Sequence, residues 1–136
     1  MELGEKAMRG DWWKELPYVC VLLFTTEDGQ SQWFSVDMGD KTGSDNRIVG
    51  FESAEDANRL RYIVSNDATY SAMYPRVQVV SPEDLIHASE TLQTSVFVLH
   101  EKQLMPSTGD TLQHICHLLH QCFFKETKLG IEYKST

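Results

Sequence analysis

The chain has 136 residues, of which 41% are hydrophobic and 24% charged, a composition and length typical of one globular domain. Acidic residues outnumber basic ones by 20 to 12, and the net charge of −8 disfavours binding to nucleic acids or to anionic lipid surfaces. No segment approaches the roughly 18 consecutive apolar residues that a membrane-spanning helix requires, so we expect no membrane insertion.

The first half of the chain is predicted to contain an N-terminal arm and three strands. Residues 1–16 are mostly polar and form the arm. Residues 18–24 are apolar on both faces, which is typical of a central strand buried on both sides. Residues 32–38 alternate between apolar and polar and predict a half-buried strand antiparallel to the first. After a polar loop, residues 47–51 predict a third short strand.

The second half is predicted to alternate helices with strands. Ser53 and Ser81 are each followed by acidic residues at the second and third positions after the serine. This pattern predicts helices that begin after these two caps. Residues 77–80 and 95–99 predict the fourth and fifth strands. An apolar stripe then predicts one long amphipathic helix from residue 112. We therefore expect a single domain at residues 17–126 and a C-terminal tail at residues 127–136.

These elements give the order β-β-β-α-β-α-β-α and predict an α+β fold with a ferredoxin-like character. The sheet is expected to be mixed and largely antiparallel, with about five strands and with helices on one face. The third strand, the first helix and the fourth strand are expected to form a right-handed crossover.

The chemically reactive side chains of the sequence do not form a recognisable catalytic set. The odd number of cysteines (Cys20, Cys116 and Cys122) is a poor disulfide framework and indicates a reducing compartment. His114, His117 and His120 lie three apart on the last predicted helix and are weak candidates for a metal site, but histidines on a solvated helix face are the favoured explanation. We expect neither a cofactor nor enzymatic activity.

Aromatic residues in polar surroundings are the candidate partner-binding residues, because tyrosine and tryptophan often anchor interfaces. They occur in the arm, on the polar face of the second strand and in the connection after the first helix: Trp12, Trp13, Trp33, Tyr70 and Tyr74. The alternative is that the arm folds back and that these side chains cover an open face of the sheet.

Three segments resemble one known family. Tyr-Val-Cys-Val-Leu-Leu-Phe at residues 18–24, Ile-Val-Gly-Phe-Glu-Ser-Ala-Glu-Asp-Ala at residues 48–57 and Val-Gln-Val-Val at residues 77–80 follow the order seen in the family called domain of unknown function 3110 (DUF3110). The resemblance spans residues 17–104. It implies a cyanobacterial or plastid origin, and it supplies no catalytic residues.

From these observations we expect a non-enzymatic protein-binding, assembly or regulatory factor of the chloroplast stroma. Two alternatives stay open. One is a regulatory domain of the ACT type that binds a small ligand, by analogy of fold alone. The other is a metal-binding protein that uses the histidines of the last helix. The sequence predicts a protein partner without indicating its identity or the oligomeric state.

Overall fold

The computed structural model describes residues 11–39, 43–107 and 109–135, with side chains of the last helix described up to residue 124. Six strands, three α-helices and two short 3-10 helices occur in this part of the chain. The strands are β1 (Val19–Thr25), β2 (Ser31–Trp33), β3 (Ser35–Asp37), β4 (Asn46–Phe51), β5 (Arg76–Val80) and β6 (Ser95–Leu99). The helices are α1 (Ala54–Ser65), α2 (Pro82–Thr91) and α3 (Leu112–Ser135), and the 3-10 helices are Trp12–Glu15 and Ser71–Met73.

Strands β1 and β4 form the centre of the sheet and pair in antiparallel fashion. On the far side of β1 lies β5, which is antiparallel to it over its whole length. On the far side of β4 lies β6, which is parallel to β4. The predicted α+β fold with a mixed, largely antiparallel sheet is therefore confirmed, with six strands in place of about five. The predicted crossover from β4 through α1 to β5 is present, and β1 lies between its two strands.

Strands β2 and β3 occupy the gap where β1 and β4 diverge. β2 is antiparallel to β1, and β3 is antiparallel to β4, so the chain must reverse between them. The reversal occurs at Phe34, whose N–H donates to Leu22 and whose carbonyl accepts from the N–H of Val49. The prediction of one continuous strand over residues 32–38 is wrong. This segment forms two short strands, which meet at the chain reversal at Phe34.

The core lies on both faces of the sheet. The first face, with Leu22 and Phe51, is covered by α1 and α3. The second face, with Val21 and Val98, is covered by α2 and by the 3-10 helix of the arm. The sequence placed the helices on one face, whereas α2 lies on the opposite one. The reason is that β1, β4 and β6 are apolar on both sides, so each face needs its own cover to remove that surface from water.

The two predicted helix starts are confirmed. Ser53 Oγ accepts the N–H of Asp56 at 3.4 Å, and Ser81 Oγ accepts the N–H of Asp84 at 3.1 Å. Each serine thereby satisfies a backbone donor that the first helical turn leaves unpaired. The last helix continues through the residues that were predicted to form a tail. Within the described part of the chain, no helix has both the length and the apolar character that crossing a membrane requires.

Candidate functional site

The tryptophans of the arm are packing residues in this structure. Trp13 is only 4% exposed and packs on the second face of the sheet, in one cluster with Leu85 and Val98. Trp12 stacks on His100 with their ring centroids 3.7 Å apart. Residues 11–16 thus fold back over the sheet, which is the alternative that the sequence left open, while residues 1–10 lie outside the described residues.

The other three predicted aromatic residues differ in their exposure. Trp33 is half-buried against the same cluster as Trp13. Tyr70 is half-buried, with its ring centroid 5.2 Å from that of Phe24. Tyr74 is 74% exposed and adopts a left-handed backbone conformation with φ of 49°. The role of all five in partner binding stays a prediction, but only Tyr74 presents most of its side chain to solvent.

The three histidines of α3 are directed to separate partners. His114 Nε2 lies 3.9 Å from Asp110, and His117 Nε2 lies 3.2 Å from the side-chain nitrogen of Gln121. His120 Nε2 contacts the backbone oxygen of Asp37 at 2.7 Å, so this ring packs on the loop after β3. Among the described residues, no group of three or more His, Cys, Asp or Glu side chains is placed to hold a metal ion.

The loop after β3 is closed by the carboxylate of Asp37. Its Oδ1 accepts the N–H of Gly39 at 2.9 Å and the N–H of Asp45 at 2.8 Å. These two backbone donors lower the pKa of Asp37 below its ordinary value of 3.8. The described part of the loop therefore uses this acid to hold its own backbone together.

Strand β5 is an open edge of the sheet, since within the described residues it pairs only with β1. Leu22 of β1 directs its carbonyl towards Phe34, away from β5. By the alternation of an antiparallel ladder, the residues of β5 opposite Val19, Val21 and Leu23 direct their backbone groups inward. The backbone groups of Val77 and Val79 consequently point outward, where the side chain of Gln78 donates to the Val79 carbonyl at 3.2 Å.

Apolar and aromatic side chains flank this edge. Val79 is 53% exposed, although its neighbour two residues earlier, Val77, packs against α1 and the core of the first face. Tyr18, 44% exposed, lies directly before β1 at the same end as Val79. Tyr74 lies at the other end, two residues before β5. The edge therefore presents two outward-facing backbone units, those of Val77 and Val79, with apolar surface at both ends.

The two ends of β5 carry opposite charge. At its beginning, Arg76 donates to the hydroxyls of Thr25 at 2.8 Å and Ser31 at 3.2 Å, and no carboxylate of the described residues forms an ion pair with it. Just beyond its end, Glu83 and Asp84 are both exposed in the first turn of α2. The edge is thus basic at one end and acidic at the other.

A surface cavity of about 500 Å³ lies on the outer side of α1. It is lined by Arg59, Arg61, Tyr62 and residues around Pro106. Arg59 is paired with Glu55 at 2.8 Å and with Asp56 at 3.6 Å, whereas Arg61 donates to the neutral side chain of Asn58 at 2.8 Å. One positive charge of the cavity therefore has no carboxylate partner among the described residues, and the small-ligand alternative stays a prediction.

Two of the three thiols have a raised pKa. Burial raises the pKa of Cys20, and burial together with the negative charge of Asp67 raises the pKa of Cys116. The thiolate is the reactive form of cysteine, so both shifts oppose nucleophilic catalysis at neutral pH.

The model of the family described as a domain of unknown function (DUF3110) matches residues 19–108 of this chain, which is well over half of its length. The chain belongs to the DUF3110 family. The resemblance noted from the sequence is thereby confirmed. Neither the curated proteins nor the solved structures include a match to this chain.

The DUF3110 region contains all six strands together with α1 and α2, so the open edge of β5 is part of it. The histidine-bearing helix α3 and the two tryptophans of the arm lie outside the matched residues. Sequence reasoning missed Arg76 and Val79 as site residues. Their strand was predicted, but nothing in a local pattern says which strand forms the edge of a sheet. Pro75 directly before β5 was the available signal, because proline is confined to edges and strand ends.

Proposed function

We propose that this DUF3110 protein is a non-enzymatic protein-binding module that serves assembly or regulation in the chloroplast stroma. The observation that carries the proposal is the open edge of β5, where the outward backbone groups of Val77 and Val79 have no pairing strand among the described residues. Support for the stromal location comes from the resemblance to plastid proteins and from the odd number of cysteines, which is a poor disulfide framework.

Binding would follow the mode in which an extended segment adds a strand to a sheet edge. In this mode the backbone hydrogen bonds supply affinity, and the side chains that alternate along the strand supply specificity. Val79 and Tyr18 offer apolar contacts at one end of the edge and Tyr74 at the other. Few residues of β5 protect it against such pairing, since the strand has one charged residue, at its beginning, and no proline.

The proposal is tested by chemical cross-linking and affinity capture from plastid stroma, with wild-type protein and the Val79→Lys variant as baits. A lysine on an edge strand opposes the addition of another strand. We expect the wild-type bait to retain a protein that Val79→Lys loses by at least about tenfold. Because the Val79 side chain is 53% exposed, the variant should fold normally, which circular dichroism verifies.

The matched control is Leu92→Lys, since Leu92 is also 53% exposed and follows α2, away from the edge. It introduces the same charge at the same exposure. Equal capture by the Val79→Lys and Leu92→Lys baits would contradict the assignment of the site to β5. Wild-type protein that captures nothing would contradict the binding function itself.

A further inference from the structure

We propose that the β5 edge pairs with the β5 edge of a second copy of this chain, antiparallel and centred on Gln78, to form a symmetric dimer. The inference rests on the proposed function, since it names the partner of the same edge. The two six-stranded sheets would then join into one continuous sheet across a twofold axis.

The register follows from which backbone groups point outward. A twofold axis at Gln78 places Val77 of one copy opposite Val79 of the other, and each such pair exchanges two hydrogen bonds. A shift by one pair in either direction would place an outward valine opposite Pro75, which has no N–H, or opposite Ser81, which caps α2. The register centred on Gln78 is therefore the one that satisfies both valines within the strand.

The charges of the edge are self-complementary in this register. Arg76 of one copy lies opposite Val80 of the other, and both belong to the second face of the sheet, the face that α2 covers. The first turn of the second copy's α2, with Glu83 and Asp84, begins just beyond that position. Arg76 has no ion pair among the described residues of its own copy, and its guanidinium donates inward to Thr25 and Ser31. In the dimer it turns from these neutral hydroxyls to a carboxylate of the second copy, and symmetry repeats the contact.

The apolar side chains of the edge also pair. Val79 of each copy lies across from Val77 of the other on the first face, which removes the exposed Val79 side chain from water. The contact is small compared with the roughly 1,600 Å² of a standard interface, so we expect a reversible dimer with micromolar affinity.

The test is sedimentation equilibrium of the full chain over a range of concentrations. We expect wild type and Leu92→Lys to show the same monomer–dimer equilibrium, and Val79→Lys to raise the dissociation constant at least about tenfold. A wild-type protein that stays monomeric, or a dimer that Val79→Lys leaves unchanged, would overturn the proposal.

A charge exchange tests the register. Arg76→Glu alone and Glu83→Lys/Asp84→Lys alone each place like charges together and should weaken the dimer. Mixed in equal amounts, the two variants place opposite charges at both contacts, and the mixture should regain association near that of wild type. A mixture no tighter than its two components would overturn the antiparallel pairing centred on Gln78.

Amide hydrogen exchange of the dilute monomer separates this inference from the proposed function. If the chain is monomeric and the amides of Val77 and Val79 exchange rapidly, the edge is open to a different protein, and only the dimer fails. If those amides are protected in the monomer, the chain covers its own edge, and both the dimer and the proposed function fail.

Discussion

Individual residues of similar chemistry have different environments in this protein: some are buried in the core and others are exposed to solvent. Trp13 lies within one 3-10 helix and Tyr74 directly follows the other, yet Trp13 is buried against Leu85, whereas Tyr74 projects into solvent. Adjacent tryptophans in a polar segment look like an exposed anchor in the sequence. They prove to be the contact that ties the arm to the second face of the sheet.

Replacing Trp13 by alanine should therefore destabilise the domain. Removal of a buried aromatic side chain costs about 3–5 kcal/mol, partly because it leaves a cavity. Tyr74→Ala, at an exposed position, should change the free energy of unfolding by less than about 0.5 kcal/mol. Urea denaturation of both variants measures the difference. Similar stabilities for the two variants would show that the arm is not held in place by Trp13.

Asp37 makes stability depend on acid pH. Its folded pKa is depressed below 3.8 by the N–H groups of Asp45 and Gly39, so the folded state binds this proton less readily than the unfolded chain. The contribution of Asp37 is fully present above the unfolded pKa and is lost as the pH falls through the folded one. Asp37→Asn should lower stability at neutral pH and flatten its decline below about pH 4.

Denaturation at a series of pH values measures this effect, and NMR titration of the Asp37 carboxyl measures its pKa directly. A wild-type and an Asp37→Asn protein with parallel stability curves below about pH 4 would contradict the assigned hydrogen bonds.

At the scale of elements, local sequence signals correctly predicted the features that depend only on neighbouring residues. The caps at Ser53 and Ser81 and the apolar run of β1 each act within a few residues, and each was confirmed. The reversal at Phe34 was missed because residues 32–38 alternate as one strand would. The choice between one strand and two is made by the divergence of β1 from β4, which is a tertiary feature.

The positions of the helices and of the open edge are also tertiary features, which local sequence patterns do not determine. An amphipathic pattern shows which side of α2 is apolar but not which face of the sheet it covers. The two-sided apolar character of β1 did carry that information, since it requires a cover on each face. For the candidate site, the exposed Tyr74 was predicted, whereas Val79 and Arg76 gained their significance only from the strand order.

The side chains of Val19 and Val98 occupy the space above Gly50 on the second face of the sheet. A Cβ atom at this position would lie 2.8 Å from Val19 Cγ1 and 3.3 Å from Val98 Cγ2, and both valines are buried with stiff side chains. Gly50→Ala should lower the free energy of unfolding by about 1–3 kcal/mol. Gly43→Ala is the control, since a Cβ there meets nothing within 4 Å. Equal stability of the two variants in urea would show that the side chains of Val19 and Val98 move aside without cost.

At the scale of the whole molecule, net charge opposes the association that the edge favours. Each copy carries a charge of −8, so two copies repel each other at long range, while the contacts of β5 act only at short range. Salt screens the long-range repulsion between the two chains more strongly than it screens the contacts of β5. Raising the ionic strength from about 0.01 M to 0.1 M shortens the screening length from about 30 Å to 10 Å, and the dimer should become tighter.

Sedimentation equilibrium at the two ionic strengths measures this dependence. A dimer that weakens as salt is added would show that the ion pairs of Arg76 with the acidic turn dominate over the repulsion of the whole chains.

The central position of β1 also bears on how the protein is made. β1 emerges from the ribosome before β4 and β5, the two long neighbours that pair along its sides. At a synthesis rate of about 5–20 residues per second, several seconds pass between the synthesis of β1 and the synthesis of β5. During translation the apolar surface of β1 therefore stays exposed until both neighbouring strands have left the exit tunnel.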